Sequence, residues 1–270
     1  MPELPEVERA VRALRDAIQE TIIERVEVLH PSLRRRVSTA ALRALRGARV
    51  RMVERRGKHQ LIHLTDGRVV HVHFRMNGDW IIGTTTDPLP RFARAIFDFT
   101  SGARVVLDDS RALSTIDIHP PGVPLPLELG PEPSDPALTP ARLRAALARR
   151  RIPIKVALLD QRIIAGLGNI YASEALWRAK IDPRSSAATL DTSQARRLLA
   201  AIRAVIARAT GARYMSTEGA RLDVYDRAGR ACRRCGTKIQ RLVQSGRSTY
   251  LCPHCQRGGK LSRGPRRVRS

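Results

Sequence analysis

The chain has 270 residues, enough for two modest domains that each bury a core. Its formal net charge of +24 predicts a polyanionic partner, most simply nucleic acid, and its 4% aromatic content argues against a stacking platform for single strands. No apolar run is long enough to span a membrane and the acidic N terminus lacks a signal segment, so we expect a cytoplasmic, intracellular, nucleoid-associated protein.

The N-terminal part predicts one helix followed by short strands. Apolar residues recur at helical spacing between residues 5 and 20, which indicates an amphipathic helix. Short β-like stretches follow at residues 22–29, 49–55, 60–64, 69–74, 80–82, 94–99 and 104–108. Strands of this length, separated by turns, predict an antiparallel β-sandwich with the first helix packed along it.

A proline-rich segment at residues 120–136 predicts an interdomain linker. Beyond it the pattern is helical, with helices predicted after Thr139, over residues 154–161 and 170–180, and from Asp191 to just before Gly211. A strand-like stretch at 222–225 precedes the cysteines. The predicted divisions are an N-terminal domain at 1–119, the linker at 120–136, a helical domain at 137–221, a cysteine-rich finger at 222–257 and a disordered basic tail at 258–270.

Two CxxC pairs, Cys232 with Cys235 and Cys252 with Cys255, flank sixteen residues. Four thiolates on two knuckles complete a closed tetrahedral shell, so we predict one structural Zn2+ ion; redox-active dithiols are the alternative. The glycines and apolar residues between the pairs predict a β-hairpin, which a closed zinc site folds. His254, inside the second knuckle, is predicted to be a bystander.

The opening residues place a proline second, behind an initiator methionine that is normally removed before a small residue. An α-amino group has a pKa about 2.5 units below that of lysine, so near pH 7 about a tenth of the Pro2 amine is free base. An amine beside a carboxylate, here Glu3 with Glu6 close behind, can attack an electrophilic carbon and form an iminium. The alternative is that this segment only leads into the first helix.

His71 and His73 lie two residues apart on a predicted strand and therefore share one face. They could supply half of a metal site, but the sequence shows no obvious acidic or cysteine partner to complete it. A polar contact or a phosphate partner is the favoured interpretation.

Motifs along the whole chain resemble those of one enzyme family. They occur in order at residues 2–8, 55–58, 73–78, 109–111, 129–133, 154–155 and 168–174, and in the four-cysteine finger with residues 246–247. Together they resemble the formamidopyrimidine-DNA glycosylase / endonuclease VIII family of bifunctional base-excision repair enzymes. The resemblance implies an α+β multidomain fold: an N-terminal antiparallel β-sandwich with its flanking helix, and a C-terminal helix–two-turn–helix domain with a four-cysteine zinc-finger hairpin.

The resemblance also implies a partner and a reaction. The partner is double-stranded DNA that contains a damaged base or an abasic site, and the reaction is removal of oxidised bases of the 8-oxoguanine and formamidopyrimidine type, followed by β,δ-elimination. Pro2 attacks the sugar, Glu3 serves as general acid/base and Lys58 as proton donor. Arg247, whose guanidinium rarely releases a proton, is interpreted as neutralising phosphate. Glu6 either orients the terminus or is an ordinary carboxylate of the first helical turn.

The same resemblance implies further DNA contacts. A wedge that fills the space left by the flipped nucleotide maps onto Met76, Arg111 and Leu113. The remaining predicted DNA contacts are His73, Arg91, Arg94, Arg150, Lys155, Asn169, Tyr225 and Arg241.

The chain departs from the family's oxidised-purine branch at several places. Leu113 replaces a phenylalanine of the wedge, and Arg91 or Arg94 takes the place of a phosphate-contacting histidine. Residues 211–225 are shorter than the loop that caps an everted oxidised purine. Two alternatives therefore stay open: an endonuclease VIII-like glycosylase that prefers oxidised pyrimidines, and a non-catalytic binder of damaged or abasic DNA. The linker and the charge favour a monomer.

Overall fold

The structure is a computed structural model that describes residues 2–34, 37–210 and 222–257. The predicted basic tail at 258–270 and most of the short loop at 211–225 lie outside these described residues. The chain divides into two units, residues 1–127 and 128–270.

The first helix, α1 (Leu4–Ile18), begins with a capping box that includes the N-terminal carboxylates. The Glu6 carboxylate accepts a hydrogen bond from the Glu3 backbone N–H at 2.6 Å, and the Glu3 carboxylate accepts one from the Glu6 backbone N–H. Pro5 occupies the first turn, where its missing N–H has no intrahelical partner to lose. The predicted apolar face is buried, as expected from its spacing: Val7, Val11, Leu14 and Ile18.

Two four-stranded antiparallel sheets make up most of the first unit. The strands in chain order are β1 (Ile23–Val28), β2 (Val50–Arg56), β3 (His59–Leu64), β4 (Val69–His73), β5 (Asp79–Thr84), β6 (Ala93–Phe99), β7 (Ala103–Asp108) and β8 (Thr115–His119). One sheet has the order β1-β6-β7-β5 and the other β2-β3-β4-β8. Residues from both sheets and from α1 share one hydrophobic core, which confirms the predicted sandwich and its flanking helix.

Three elements of this unit were not predicted. Two short helices, α2 (Pro31–Arg34) and α3 (Thr39–Arg43), connect β1 to β2, and β8 completes the second sheet. Strand β8 carries only two apolar residues, Ile116 and Ile118, so its alternation is too short to stand out in the sequence.

The second unit is helical and ends in a hairpin. Its elements are α4 (Pro140–Ala148), α5 (Ile154–Leu158), α6 (Asn169–Ala179), α7 (Thr192–Thr210), β9 (Gln240–Gln244) and β10 (Arg247–Leu251). The Thr139 hydroxyl caps α4 by accepting from the Arg142 N–H at 3.1 Å. In the hairpin turn, Ser245 and Gly246 both have positive φ, 46° and 72°, as a tight two-residue turn between twisted strands requires.

The C-terminal part of the predicted linker belongs to the second unit and packs within it. The Gly130 N–H donates to the Gln161 carbonyl at 2.9 Å, and the Ala165 N–H donates to the Pro131 carbonyl at 3.0 Å. A Cβ at Gly130 would lie 2.2 Å from the Arg162 carbonyl oxygen, so only glycine permits this approach. Residues 131–133 are buried, so this part of the proline-rich segment is packed.

Within the described ranges, the structure contains no helix with the length and apolar character needed to cross a bilayer.

Candidate active site and nucleic-acid interface

The N-terminal amine of the predicted nucleophile stands at the start of a fixed helix. Pro2 directly precedes Glu3, which is only 1% exposed and whose backbone and carboxylate both take part in the capping box of α1. The Glu6 carboxylate is committed to the Glu3 N–H. Glu6 therefore holds the Glu3 backbone next to Pro2, and this capping contact is compatible with both predicted roles, the orienting group and the ordinary first-turn carboxylate.

Helix α1 is tied to β2 by two arginines. Arg55 Nε donates to Glu8 Oε2 at 2.8 Å, and Arg15 Nε donates to the Val53 carbonyl at 2.9 Å. Strand β2 then leads into the turn of Gly57, at φ +60°, and the buried Lys58. These bonds position the Lys58 turn relative to helix α1, which Pro2 and Glu3 precede.

The loop that follows β7 is held in place by the side chain of Asp109. The Asp109 carboxylate is fully buried and accepts backbone N–H bonds from Arg111 at 2.9 Å and from Leu113 and Ser114 at 2.8 Å. Burial alone raises the pKa of Asp109, but the hydrogen bond from the Ser114 hydroxyl and these backbone bonds outweigh it and hold the pKa below its ordinary value. Asp109 therefore fixes the loop that presents Arg111 and Leu113.

The 109–114 loop touches the loop that carries Met76. The Ser114 hydroxyl lies 2.7 Å from Asp109 Oδ2 and 3.1 Å from the Phe74 carbonyl oxygen. A Cβ at Gly78 would lie 2.3 Å from that hydroxyl, so glycine is needed where the two loops meet. Met76 and Leu113 are 38% and 43% exposed. Two ordered neighbouring loops thus present the apolar residues of the predicted wedge.

We predict that Asp109→Asn destabilises the first unit by about 2–3 kcal/mol, because an amide cannot accept all of these bonds and turns a donor towards buried N–H groups. Since the folded-state pKa of Asp109 is lowered, its contribution is present above the unfolded pKa and is lost as pH falls through the folded value. Urea unfolding at neutral and acidic pH measures both effects, and the gap to wild type should narrow in acid. Asp66→Asn, at an exposed turn carboxylate, should cost less than about 1 kcal/mol.

The other predicted contacts of the first unit occupy ordered positions near these loops. His73 Nδ1 accepts from the Arg75 N–H at 2.9 Å, which leaves the proton of the neutral ring on Nε2. Arg94 Nε donates to the Asp109 carbonyl at 2.7 Å and so braces the wedge loop. The Arg91 guanidinium lies 5.2 Å from the Phe92 ring centroid.

In the second unit, four predicted or neighbouring groups form one polar cluster. Lys155 is fully buried and its ammonium donates to Asn169 Oδ1 and, at 3.3 Å, to the Ser248 carbonyl. Asn169 Nδ2 donates to the same carbonyl at 3.0 Å and lies 3.4 Å from the Tyr225 hydroxyl. The start of α6 and the hairpin strand β10 are thereby joined through Lys155, which places a cation and three polar groups together.

Three arginines of the second unit are also predicted site residues, and their surroundings differ. Arg241 on β9 donates to the Ser248 hydroxyl at 3.0 Å, and Arg247 is exposed at the hairpin turn. Arg150 instead forms an ion pair with Asp160 at 3.0 Å, and it precedes the hairpin strands by about ninety positions in the chain. Arg241 and Arg247 are thus the two arginines carried by the finger hairpin.

A buried glutamate positions the segment that carries Tyr225. Glu174 on α6 is 1% exposed, and its carboxylate accepts N–H bonds from Asp223 at 2.9 Å and from Val224 and Tyr225 at 2.8 Å. Because those N–H groups point at one carboxylate, the segment is not a strand, and the strand predicted at 222–225 is wrong. Burial raises the pKa of Glu174, although these hydrogen bonds act to lower it. The local sequence carries no signal for this role, because the N–H groups that Glu174 accepts from lie about fifty positions later in the chain.

We predict that Glu174→Gln lowers the free energy of unfolding by about 1–3 kcal/mol, because the NH2 group of the glutamine then faces at least one buried backbone N–H that has lost its acceptor. The same change should weaken DNA binding, since it releases the segment that carries Tyr225. The matched control is Arg208→Ala. Arg208 lies 3.5 Å from the same carboxylate but is half exposed, so its loss should cost under about 1 kcal/mol. Equal effects of the two variants, measured by thermal melting and DNA titration, would contradict this assignment.

The four cysteines are gathered as the spacing predicts. Their sulfur atoms all lie within 4.8 Å of one another, close to the edge of about 3.8 Å expected for a tetrahedron of thiolates around zinc. Backbone N–H groups of the knuckles point at two sulfurs: Arg234 at Cys232 and Cys255 at Cys252, both at 3.4 Å. This donor set fits one structural zinc ion.

Comparisons with known proteins agree with this architecture. The model of the formamidopyrimidine-DNA glycosylase N-terminal domain matches residues 1–116, and that of the H2TH domain of the same enzyme matches residues 129–218. A zinc finger found in FPG and IleRS matches residues 229–258.

Relatives and solved structures match over nearly the whole chain. A formamidopyrimidine-DNA glycosylase of Paracoccus denitrificans is 40% identical over 280 residues, covering 95% of this chain and 100% of the relative. The Lactococcus lactis enzyme bound to DNA containing Fapy-dG has a TM-score of 0.88 at 30% identity, covering 94% and 100% of the two chains. The L. lactis enzyme bound to DNA with an abasic site has a TM-score of 0.87 at 30% identity, covering 94% and 99%. The chain therefore belongs to the formamidopyrimidine-DNA glycosylase family.

Proposed function

We propose that this chain is a base-excision repair DNA glycosylase that removes oxidised bases from duplex DNA and then cleaves the strand as an abasic-site lyase, with Pro2 as the nucleophile. The observation that carries this assignment is the placement of Pro2 directly before the buried, capped Glu3. A secondary amine at this position is free base to about a tenth near pH 7. It is therefore available to attack without a separate base to activate it.

In the first stage the Pro2 nitrogen replaces the base at C1′ of the sugar. The lone pair of the Pro2 nitrogen attacks C1′ as the glycosidic bond breaks, and the base leaves with the bonding electrons and the proton that the Pro2 nitrogen gives up. Glu3 delivers a proton to O4′ as the C1′–O4′ bond opens, which leaves an iminium between Pro2 and C1′. Glu6 keeps the Glu3 backbone in place during these steps.

In the second stage the iminium makes the neighbouring C2′ proton of the sugar more acidic. Loss of the C2′ proton expels the 3′ phosphate, and loss of the C4′ proton then expels the 5′ phosphate, so a one-nucleotide gap remains. Lys58, buried in the turn after β2, is the proposed proton donor. Arg247 at the hairpin turn neutralises phosphate, because its guanidinium stays protonated.

The proposed DNA contacts divide into wedge and backbone groups. Met76, Arg111 and Leu113 stand on the two loops fixed by Asp109 and Ser114, as a wedge that replaces a flipped nucleotide requires. Phosphate contacts are assigned to His73, Arg91, Arg94, Arg150, Lys155, Asn169, Tyr225 and Arg241. We further propose that the protein acts in the cytoplasm at the nucleoid, as a monomer.

Oxidised purines are the proposed substrates because the curated relatives are named formamidopyrimidine-DNA glycosylases and the solved neighbours hold DNA with Fapy-dG or 8-oxo-G. The test is excision from duplexes that each carry formamidopyrimidine, 8-oxoguanine or thymine glycol, with borohydride added to trap the iminium. We expect the two purine lesions to be excised fastest and to give a covalent adduct. Faster excision of thymine glycol favours the endonuclease VIII-like alternative, and binding without excision or adduct favours a non-catalytic binder.

A further inference from the structure

The outer face of the second sheet of the sandwich carries a cluster of imidazoles. Of the seven histidines in the chain, His59, His71, His73 and His119 lie together on β3, β4 and β8. In the register, His59 is opposite His73 and His71 is opposite Asp117, so these side chains share one face. The opposite face of the same strands, with Val70, Val72 and Ile116, packs into the core.

This face opens into a cavity of about 700 Å³ within the first unit. The histidine rings, Asp117 and Arg75 line it, together with Ala41 of α3, the preceding residues 37–38 and the segment at 126–127. A space of this size holds water and ions beside the rings. The cluster is distinct from the four-cysteine site, which lies in the second unit.

The spacing of two ring nitrogens matches a pair of metal ligands. His71 Nδ1 and His119 Nε2 are 3.3 Å apart, and two imidazole nitrogens bound to one tetrahedral zinc ion are separated by roughly 3.3 Å. The other nitrogen of His71, Nε2, lies 2.7 Å from His59 Nδ1. A metal-bound histidine commonly donates its second ring N–H to such a partner, which fixes its tautomer.

We propose that His71 and His119, with Asp117 as the third ligand, form a binding site for a divalent ion of the zinc class. His71 binds through Nδ1 and donates its Nε2–H to His59, while His119 binds through Nε2 and carries its proton on Nδ1. Water completes the coordination from the cavity. The sequence suggested only half a site from His71 and His73, because Asp117 and His119 become neighbours of His71 only through the pairing of β4 with β8.

Two features of the surroundings set the expected strength of binding. The His59 ring lies 2.7 Å from Nε2 of His71 and can fix the orientation of that ring, which favours binding. Against this, the Arg75 guanidinium also lines the cavity and repels a cation. Among the described residues, three or more ligand atoms are already gathered only at the four cysteines, so Asp117 has to turn towards the ion. We therefore expect micromolar rather than nanomolar affinity.

The test measures metal content with the finger already filled. Zinc-loaded protein is dialysed to equilibrium against micromolar Zn2+, and zinc per chain is determined by mass spectrometry of the metal. Wild type should hold two ions, whereas His119→Ala and Asp117→Asn should fall towards one. His63→Ala is the matched control: His63 lies on the same strand as His59 but bonds to Glu54 at 2.8 Å, so this variant should keep two ions.

Two results overturn the proposal: a wild-type value of one, or a second ion that survives in His119→Ala. A second measurement excludes an effect of misfolding, since Co2+ added to zinc-loaded wild type reports on the ligands directly. Imidazole and carboxylate ligands give weak visible bands without the intense thiolate charge-transfer band in the near ultraviolet. Appearance of the charge-transfer band places the ion on the cysteines and also overturns the proposal.

Discussion

An extension of a few residues ahead of Pro2 is expected to abolish covalent capture of abasic DNA. The extension converts the secondary amine into a tertiary amide, which has no basic lone pair, so no iminium can form. The chemical step should slow on the order of a thousandfold or more, since the nucleophile itself is removed. Single-turnover cleavage of abasic duplex and borohydride trapping measure the two losses.

The control separates chemistry from binding. The same residues added at the C terminus leave Pro2 unchanged and should preserve full activity. Both proteins should bind duplex with a reduced abasic analogue equally, because the phosphate contacts are intact. Mass spectrometry of the trapped adduct locates the attached sugar: attachment at Pro2 supports the assignment, whereas attachment at Lys58, or a normal adduct yield from the N-terminally extended protein, contradicts it.

The parts of this protein that follow from local sequence were predictable. The helix at Leu4–Ile18 follows from apolar spacing, and the finger follows from the four cysteines, because thiolate spacing within a knuckle is a property of a few residues. The sandwich likewise follows from a series of short alternating segments. In each case the residues that carry the sequence pattern are the same residues that form the element.

The supporting carboxylates were not predictable in the same way. Asp109 and Glu174 both lie in motifs that resemble the family, yet their roles depend on where backbone N–H groups converge. Glu174 accepts from residues about fifty positions later in the chain. Nothing in the local pattern distinguishes such an acid from an ordinary charged residue, whereas its burial in the fold does.

The proposed metal ligands in the histidine cluster could not be predicted from local sequence either. His71 and His119 are 48 positions apart and are brought together by β8, a strand whose own sequence is too short and too polar to be recognised. Residues that meet by strand pairing are visible only once the register is known.

Replacing Cys252 with serine is expected to remove the zinc ion and unfold the finger. Cys252 is fully buried, and the hairpin is too small to hold its shape without the metal. The consequence reaches beyond the hairpin, because the Ser248 carbonyl on β10 accepts from both Lys155 and Asn169. Loss of β10 therefore leaves a buried ammonium without one of its acceptors and removes Arg241 and Arg247 together.

Affinity for duplex containing an abasic analogue should fall by about two orders of magnitude or more in Cys252→Ser, since several phosphate contacts are lost at once. The slope of log affinity against log salt should also decrease by about one for each lost contact. His254→Ala is the matched control, because His254 lies in the same knuckle, is exposed, and is not among the four gathered ligands. It should retain zinc and the full salt slope. If Cys252→Ser kept both, the finger would not be the element that supplies these contacts, and the phosphate role of Arg241 and Arg247 would have to be abandoned.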